Sequence, residues 1–410
     1  MSTVSTQRIE IIDALRGFAL AGIVICHMVE NYIAAMAPVH FYEAVSIGPA
    51  DQIVDAFIGI FLRGKFIALF SFLFGLSFFI QMDNGEKRGI AFGGRFLWRL
   101  IILLVIGYVH SLFYRGDILT VYAMLGLFLI PFYKLDNKWV LGFAALLFLG
   151  LGRYLVFSFF QGDHLFSDVD PMNQEAPQIA EYYHTLKNGS IWEVFATNGW
   201  EGHVDKMNVQ FGIFGRGYFT FAFFLIGLYV GRSGFFKRFR DEKKLTKKAL
   251  IGSLVLFVVS LGITAGAFIS LGPEVKMDNW VAMIGLSGMD MTNFAMTILY
   301  IALFTMLYRR VRPERWLRQF APYGRMALTN YFLQSVLGTF LLFGWGLGYL
   351  GELRNIYTFL IALAIIILQM WTSKLWLRYF YYGPLEWLWR SLTFFKRFPF
   401  GKANAVAPEP

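Results

Sequence analysis

Long apolar runs, separated by short polar connections, dominate the pattern along this chain. A membrane crossing takes about 20 mainly apolar residues at 1.5 Å rise each. Ten stretches read as spans: Ala14 to Met36, Ile53 to Gln81, Phe96 to Tyr114, Ile118 to Tyr133, Trp139 to Phe160, Phe211 to Gly231, Ala249 to Leu271, Val281 to Tyr308, Tyr323 to Gly344 and Ile356 to Leu377. The fourth is short and the second long. The pattern therefore predicts an all-α, polytopic membrane bundle of about ten helices. Residues 1–400 form a single transmembrane domain in this reading, with an extracytoplasmic insertion at about 162–208 and a disordered tail at 401–410.

Composition strengthens that reading. Hydrophobic residues make up 57% of the 410 and charged ones 16%, whereas soluble domains hold about 45–50% apolar residues with glycine included and about 25% charged. A soluble chain could not hide 45 Phe, 11 Trp and 20 Tyr without large exposed apolar patches, so a soluble enzyme is excluded. The single cysteine, Cys26, excludes intramolecular disulfides, a redox pair and a multi-cysteine zinc site.

The net charge of +10 first suggests nucleic acid, but sorting it by loop gives topology instead. With the N-terminus in the cytoplasm, 26 of the 37 Lys and Arg residues fall on the inner side and five on the outer. That is the positive-inside asymmetry, and both termini are expected inside. The long outer segment from Gly162 to Asn208 is acidic, with Asp163, Asp168, Asp170, Glu175 and Glu201 against Lys187 and Lys206, and a short helix is expected from Ala176 to Leu186. The first stretch reads as a span rather than a cleaved signal, because it carries His27 behind Asp13 and Arg16.

Ionisable groups inside spans cost roughly 2.5–3.5 kcal/mol each on insertion scales, so they mark pairs or water-filled paths. Arg16 and His27 lie eleven residues apart, which at 100° per residue is about three full turns and puts both on one helix face about 16 Å apart. Asp13 and Glu30 extend that stripe. Topology gathers His27, Glu30, Arg63, Lys65, His110, Arg115 and Asp117 in the outer half of the membrane, with Arg216 near them. Such a cluster suits an anionic acyl donor or a polar acceptor with histidine as general base. The competing reading is an interfacial salt-bridge cluster that fixes helix ends. On the inner side Arg325, Thr329 and Asn330 open the ninth span, and the segment from Tyr382 to Arg390 reads as an amphipathic interfacial helix. No hydrolase elbow, P-loop, dinucleotide fingerprint or zinc-protease motif occurs in a usable context.

Five segments, DALRGFAL (13–20), KFIALFSFLFG (65–75), HSLFYRGDIL (110–119), GRMALTNY (324–331) and GPLEWLWR (383–390), together resemble the YeiB-like family of bacterial inner-membrane proteins, domain of unknown function 418 (DUF418). That family is grouped with transmembrane acyltransferases that modify sugars and envelope polymers. Acyltransferase-3 proteins carry Arg, ten residues, then His in their first span, a spacing that Arg16 and His27 match. The YeiB-like pattern commonly has Asn at the position of His27, so either His110 is the base or His27 marks a variant. The resemblance implies an acyl group carried from a cytoplasmic thioester such as acyl-CoA to a sugar or other small envelope acceptor, with no covalently bound cofactor. Membrane lipids are then the remaining partner, and nucleic acid is not one. Catalytic candidates are His27, His110 and Asp117. Binding candidates are Arg16, Glu30, Arg63, Lys65, Arg115, Arg216, Arg325 and Asn330, with no metal ligands. A small-molecule transporter and a membrane scaffold are the rival readings.

Overall fold

The computed structural model describes residues 9–89, 92–160, 165–166, 174–272 and 277–402. Arg8, Asp163, Asp168, Asp170 and residues 403–410 of the expected tail lie outside them. All ten apolar stretches are helical, and among the described residues there is no β-strand, only an isolated bridge between Phe380 and Gly401. Six helices are long and apolar enough to cross a membrane alone, or up to eight if two bent pairs each make one span.

The departures from the ten-span reading have local causes. The fifth stretch is two helices, Asn137–Phe148 and Leu151–Phe160, bent by 50° at Gly150, whose φ of +93° suits glycine. The second begins with Pro49–Phe57, passes through a π-helical turn at Ile58–Leu62, and resumes as Lys65–Glu86 after Gly64 at φ +81°. The first helix, Glu10–Val29, stops seven residues before Met36, because Asn31, Tyr32 and Ala34 take up left-handed backbone. Leu119–Phe132 and Ala327–Leu342 have 14 and 16 residues, so they reach only about 21 and 24 Å against a hydrocarbon thickness of about 30 Å.

Packing places Glu10–Val29 at the centre. Its first turn holds Glu10 and Asp13 at the positive end of the helix dipole, and 83% of its apolar window is buried inside the protein. Two crossings depend on glycine. A Cβ on Gly75 would strike the backbone of Phe224, and one on Gly227 would strike the backbone of Phe72, which lets Lys65–Glu86 and Arg216–Ser233 approach closely. Gly17 and Gly324 do the same for the first helix against Phe320–Arg325. Helix Lys243–Leu271 is the reverse case: its apolar window is 11% buried, and it leans on Trp280–Tyr308 through a Thr292–Ser260 hydroxyl bond of 3.0 Å. Gly75→Ala should therefore cost about 1–3 kcal/mol by overpacking. Gly252→Ala, on the open face of Lys243–Leu271, should be neutral or gain up to about 1 kcal/mol of helix propensity. Melting temperatures of the two variants in detergent check this.

The connections sort into two ends. At the basic end Tyr133 donates to Glu86, Arg240 pairs with Glu314, Arg318 with Glu10, and Trp98 donates to the Leu392 carbonyl. At the opposite end sit three helices, Pro177–Asn188, Ile191–Asn198 and Trp200–Phe211. They dock through Tyr182 on the Ile33 carbonyl, Asn198 on the Leu112 carbonyl and a Lys187–Glu352 ion pair of 2.8 Å. These helices fall largely in the segment expected as an insertion at about 162–208, of which residues 165–166 and 174–208 are described.

Candidate functional site

A cavity of about 320 Å³ opens at the basic end, and each of the five sequence segments contributes to its wall. Arg16 comes from the first, Phe70 and Phe74 from the second, and Ile118 and Leu119 from the third. Arg325 and Tyr331 come from the fourth, and Glu386, Trp389 and Arg390 from the fifth. Arg16 is oriented by Asp13 at 2.9 Å and by Ser77 Oγ at 3.0 Å. Ser77 and Gln81 lie one turn apart on Lys65–Glu86 and were not singled out from the sequence.

Glu386 caps the helix Ala327–Leu342. Its Oε1 accepts from the Leu328 and Thr329 amides at 2.7 and 3.0 Å, and Oε2 accepts from Thr329 Oγ1 at 2.6 Å. Burial pushes its carboxyl above the ordinary glutamate range, against those hydrogen bonds. The Arg99 guanidinium lies 3.6 Å over the Trp389 ring, and that of Arg390 lies 4.5 Å from the centre of Phe398. Trp389 Nε1 in turn donates to the Arg99 carbonyl at 2.9 Å, which ties the last helix, Pro384–Phe394, to Phe92–Phe113.

Behind the cavity's inner wall lies a buried pair, His110 and Asp117, with Nδ1 and Oδ1 2.8 Å apart and both side chains fully buried. Asp117 also accepts from the Leu119 and Thr120 amides at 3.1 and 2.8 Å, so it caps Leu119–Phe132. Burial pushes its carboxyl up, but the hydrogen bond and charge of His110, the Lys206 ammonium and the Thr120 amide hold it below the ordinary aspartate range. A carboxylate only accepts, so Nδ1 is the protonated nitrogen of the pair, and in the neutral ring Nε2 then holds the lone pair. Nε2 has no hydrogen-bond partner among the described residues. His27 lies in the same aromatic layer, 4.8 Å from Tyr114 and 6.3 Å from Tyr331, while His110 is 6.4 and 4.7 Å from those rings.

A second cavity, of about 580 Å³, opens at the cap end beside Trp200, Tyr182, Arg115, Asp205 and Lys206. Arg115 lies 4.0 Å over Tyr182 and 3.3 Å from Asp205, and Lys206 reaches Thr120 Oγ1 at 3.4 Å. Asp117 lines this cavity, while Ile118 and Leu119, the next two residues, line the other. Consecutive residues thus border the two spaces, and the His110–Asp117 pair lies where they adjoin.

The expected outer cluster is thus divided. His27, His110, Arg115 and Asp117 are brought together around the aromatic layer, but neither cavity is lined by a histidine. Glu30 falls past the end of the first helix and pairs with Arg63 at 2.7 Å on an exposed rim. Lys65 Nζ donates to the Gly59 carbonyl at 3.0 Å, with Arg216 as a neighbouring charge. Asn330 donates to Ser373 Oγ and the Tyr323 carbonyl inside the helix core. These five line neither cavity. Arg16 and Arg325, expected near the inner face, meet in the basic-end cavity.

Fold and site together define a helical protein of the multi-pass membrane type, with two opposed cavities and a buried histidine–aspartate pair where they adjoin. Residues 230–396 match the family model described as "Protein of unknown function (DUF418)". The chain is 29% identical to "Uncharacterized protein YxaH" of Bacillus subtilis (strain 168), over 98% of each chain. It is 26% identical to "Uncharacterized protein YeiB" of Escherichia coli (strain K12), over 93% of this chain and 95% of that one. The resemblance to the YeiB-like, DUF418 family is thereby shown, and the family model spans the last two of the five segments.

Proposed function

We propose that this chain is a transmembrane acyltransferase of the bacterial inner membrane, with ten helical segments and both termini in the cytoplasm. The observation that carries the reading is the placement of the His110–Asp117 pair between two cavities that open at opposite ends. A thioester donor enters from the basic end, with its anionic end against Arg16 and Arg325. A sugar or other small acceptor enters the cap-end cavity beside Asp117.

His110 Nε2 takes the proton of the acceptor hydroxyl or amine as that atom attacks the thioester carbonyl. The carbon–sulfur bond breaks, and the imidazolium returns the proton to the departing thiolate. Ile118, Tyr114 and Tyr331 must part for the two substrates to meet. His27, packed on the same tyrosines, is the second candidate base.

The test is consumption of acetyl-CoA by the purified chain in the presence of envelope extract, dependent on His110. No consumption under any acceptor condition overturns the reading. A transporter is the second reading, favoured by the same junction acting as a gate; uptake into sealed vesicles without chemical change supports it. The orientation has its own test in a Cys26→Ala background. Asn188→Cys is expected to react with an impermeant maleimide from outside only, and Lys244→Cys from inside only. The opposite pattern overturns the topology.

A further inference from the structure

Two arginines at the basic-end cavity, Arg99 and Arg390, have no carboxylate paired with them among the described residues. Four guanidiniums, those of Arg16, Arg99, Arg325 and Arg390, border that cavity. Of the nearby carboxylates, Asp13 is taken up by Arg16, and both oxygens of Glu386 accept from Leu328 and Thr329, so neither is paired with Arg99 or Arg390. Arg99 and Arg390 make no ion pair or side-chain hydrogen bond among the described residues, and the Nε of each is buried and unpartnered. Their flat faces rest on Trp389 and Phe398, which leaves their edges as donors. Arg99 also lies close enough to Arg390 and Arg16 to feel their charge. Like charges gathered in a partly buried space repel one another, and an anion between them reverses the sign.

The residue types narrow that anion. All four cations are arginines and none is lysine, so the site offers planar forks suited to bidentate oxyanions. A lone carboxylate has two oxygens and satisfies one fork, whereas phosphate presents enough oxygens for several. Beyond the arginines the wall turns apolar, with Ile23, Phe70, Leu73, Leu100 and Leu103. The space is within the range of small-ligand pockets, about 300–1,000 Å³.

We propose that Arg99 and Arg390, with Arg16 and Arg325, bind the phosphate of an amphiphilic phosphate ester whose organic tail lies along the apolar wall. The site deepens the donor reading above, but it can be tested with no acyl transfer at all. The phosphate is carried either by a soluble organic phosphate or by a membrane lipid headgroup.

The probe is inorganic pyrophosphate, titrated by calorimetry into the detergent-purified full chain at constant ionic strength. Saturable binding is expected. It should weaken about tenfold or more in Arg99→Gln and in Arg390→Gln, as the loss of a hydrogen bond to a charged group implies. Lys374→Gln, an exposed charge at the same end, should leave it unchanged. Arg99→Lys keeps the charge without the fork; it should keep the wild-type melting temperature and still bind weakly.

Native mass spectrometry separates the sources. Phospholipid retained by the wild type, displaced by pyrophosphate and absent from both glutamine variants supports the site and assigns the phosphate to lipid. Pyrophosphate binding to lipid-free chain supports it and assigns a soluble ligand. Absence of both, or equal binding in wild type and folded variants, overturns the site. Pyrophosphate binding without any acyl transfer would leave this site standing and remove the transfer reading.

Discussion

His110→Ala is expected to lower acyl transfer by about 10²–10⁴-fold, the usual cost of losing a general base. The variant leaves Asp117 buried but still bonded to the Leu119 and Thr120 amides, so the helix cap survives and the chain should fold. Asp117→Asn gives a sharper contrast. The new amide can donate to Nδ1, which moves the ring proton to Nε2 and removes the lone pair that the mechanism uses. Transfer should fall while yield and melting temperature stay near wild type, and the pH profile should lose its histidine limb. If the pair only ties helices together, yield and melting temperature fall first instead.

The largest stability effect is expected at Arg153. This side chain, 2% exposed, donates to the Ile213 and Phe214 carbonyls and to Ser287 Oγ, and pairs with Asp290 at 2.5 Å. Arg153→Met leaves Asp290 buried without its cation, which costs roughly 3–5 kcal/mol. The double variant Arg153→Met, Asp290→Leu removes both charges and should recover most of that loss. Neither residue lines either of the two cavities described above, so the refolded double variant should keep any transfer activity. Melting temperatures of the single and double variants, compared as a cycle, check the coupling.

Hydropathy made the helices legible because lipid imposes length and apolarity on each span. It could not reveal where a span breaks. Gly150 and Gly64 sit in apolar runs that read as continuous, and only their backbone angles separate the helices on either side.

The site was legible as pieces. Helix-face arithmetic put Arg16 and His27 on one side of the first helix, and Arg16 reaches a cavity while His27 enters the aromatic layer above it. Glu30 shares that stripe only if the helix runs past Val29, and it ends there. Arg390 ends the segment expected as an interfacial helix, and nothing in the sequence sets Arg99 beside it. Their juxtaposition is a tertiary fact. It comes from the last helix, Pro384–Phe394, lying along Phe92–Phe113, with Trp389 and Trp98 bonding across. Arg115 and Asp117, two residues apart in the sequence, do not pair: Arg115 turns to Asp205 and Tyr182, and Asp117 turns to His110.

The central claim is that the His110–Asp117 pair joins two cavities for one chemical step across the membrane. Its most direct test encloses acetyl-CoA with a radiolabelled acetyl group in vesicles that carry the chain with its cytoplasmic face inward, and supplies envelope extract outside. The expected result is label covalently attached to molecules outside, lost in His110→Ala with the protein still folded. Full transfer in His110→Ala, in His27→Ala and in the combined variant would contradict the account.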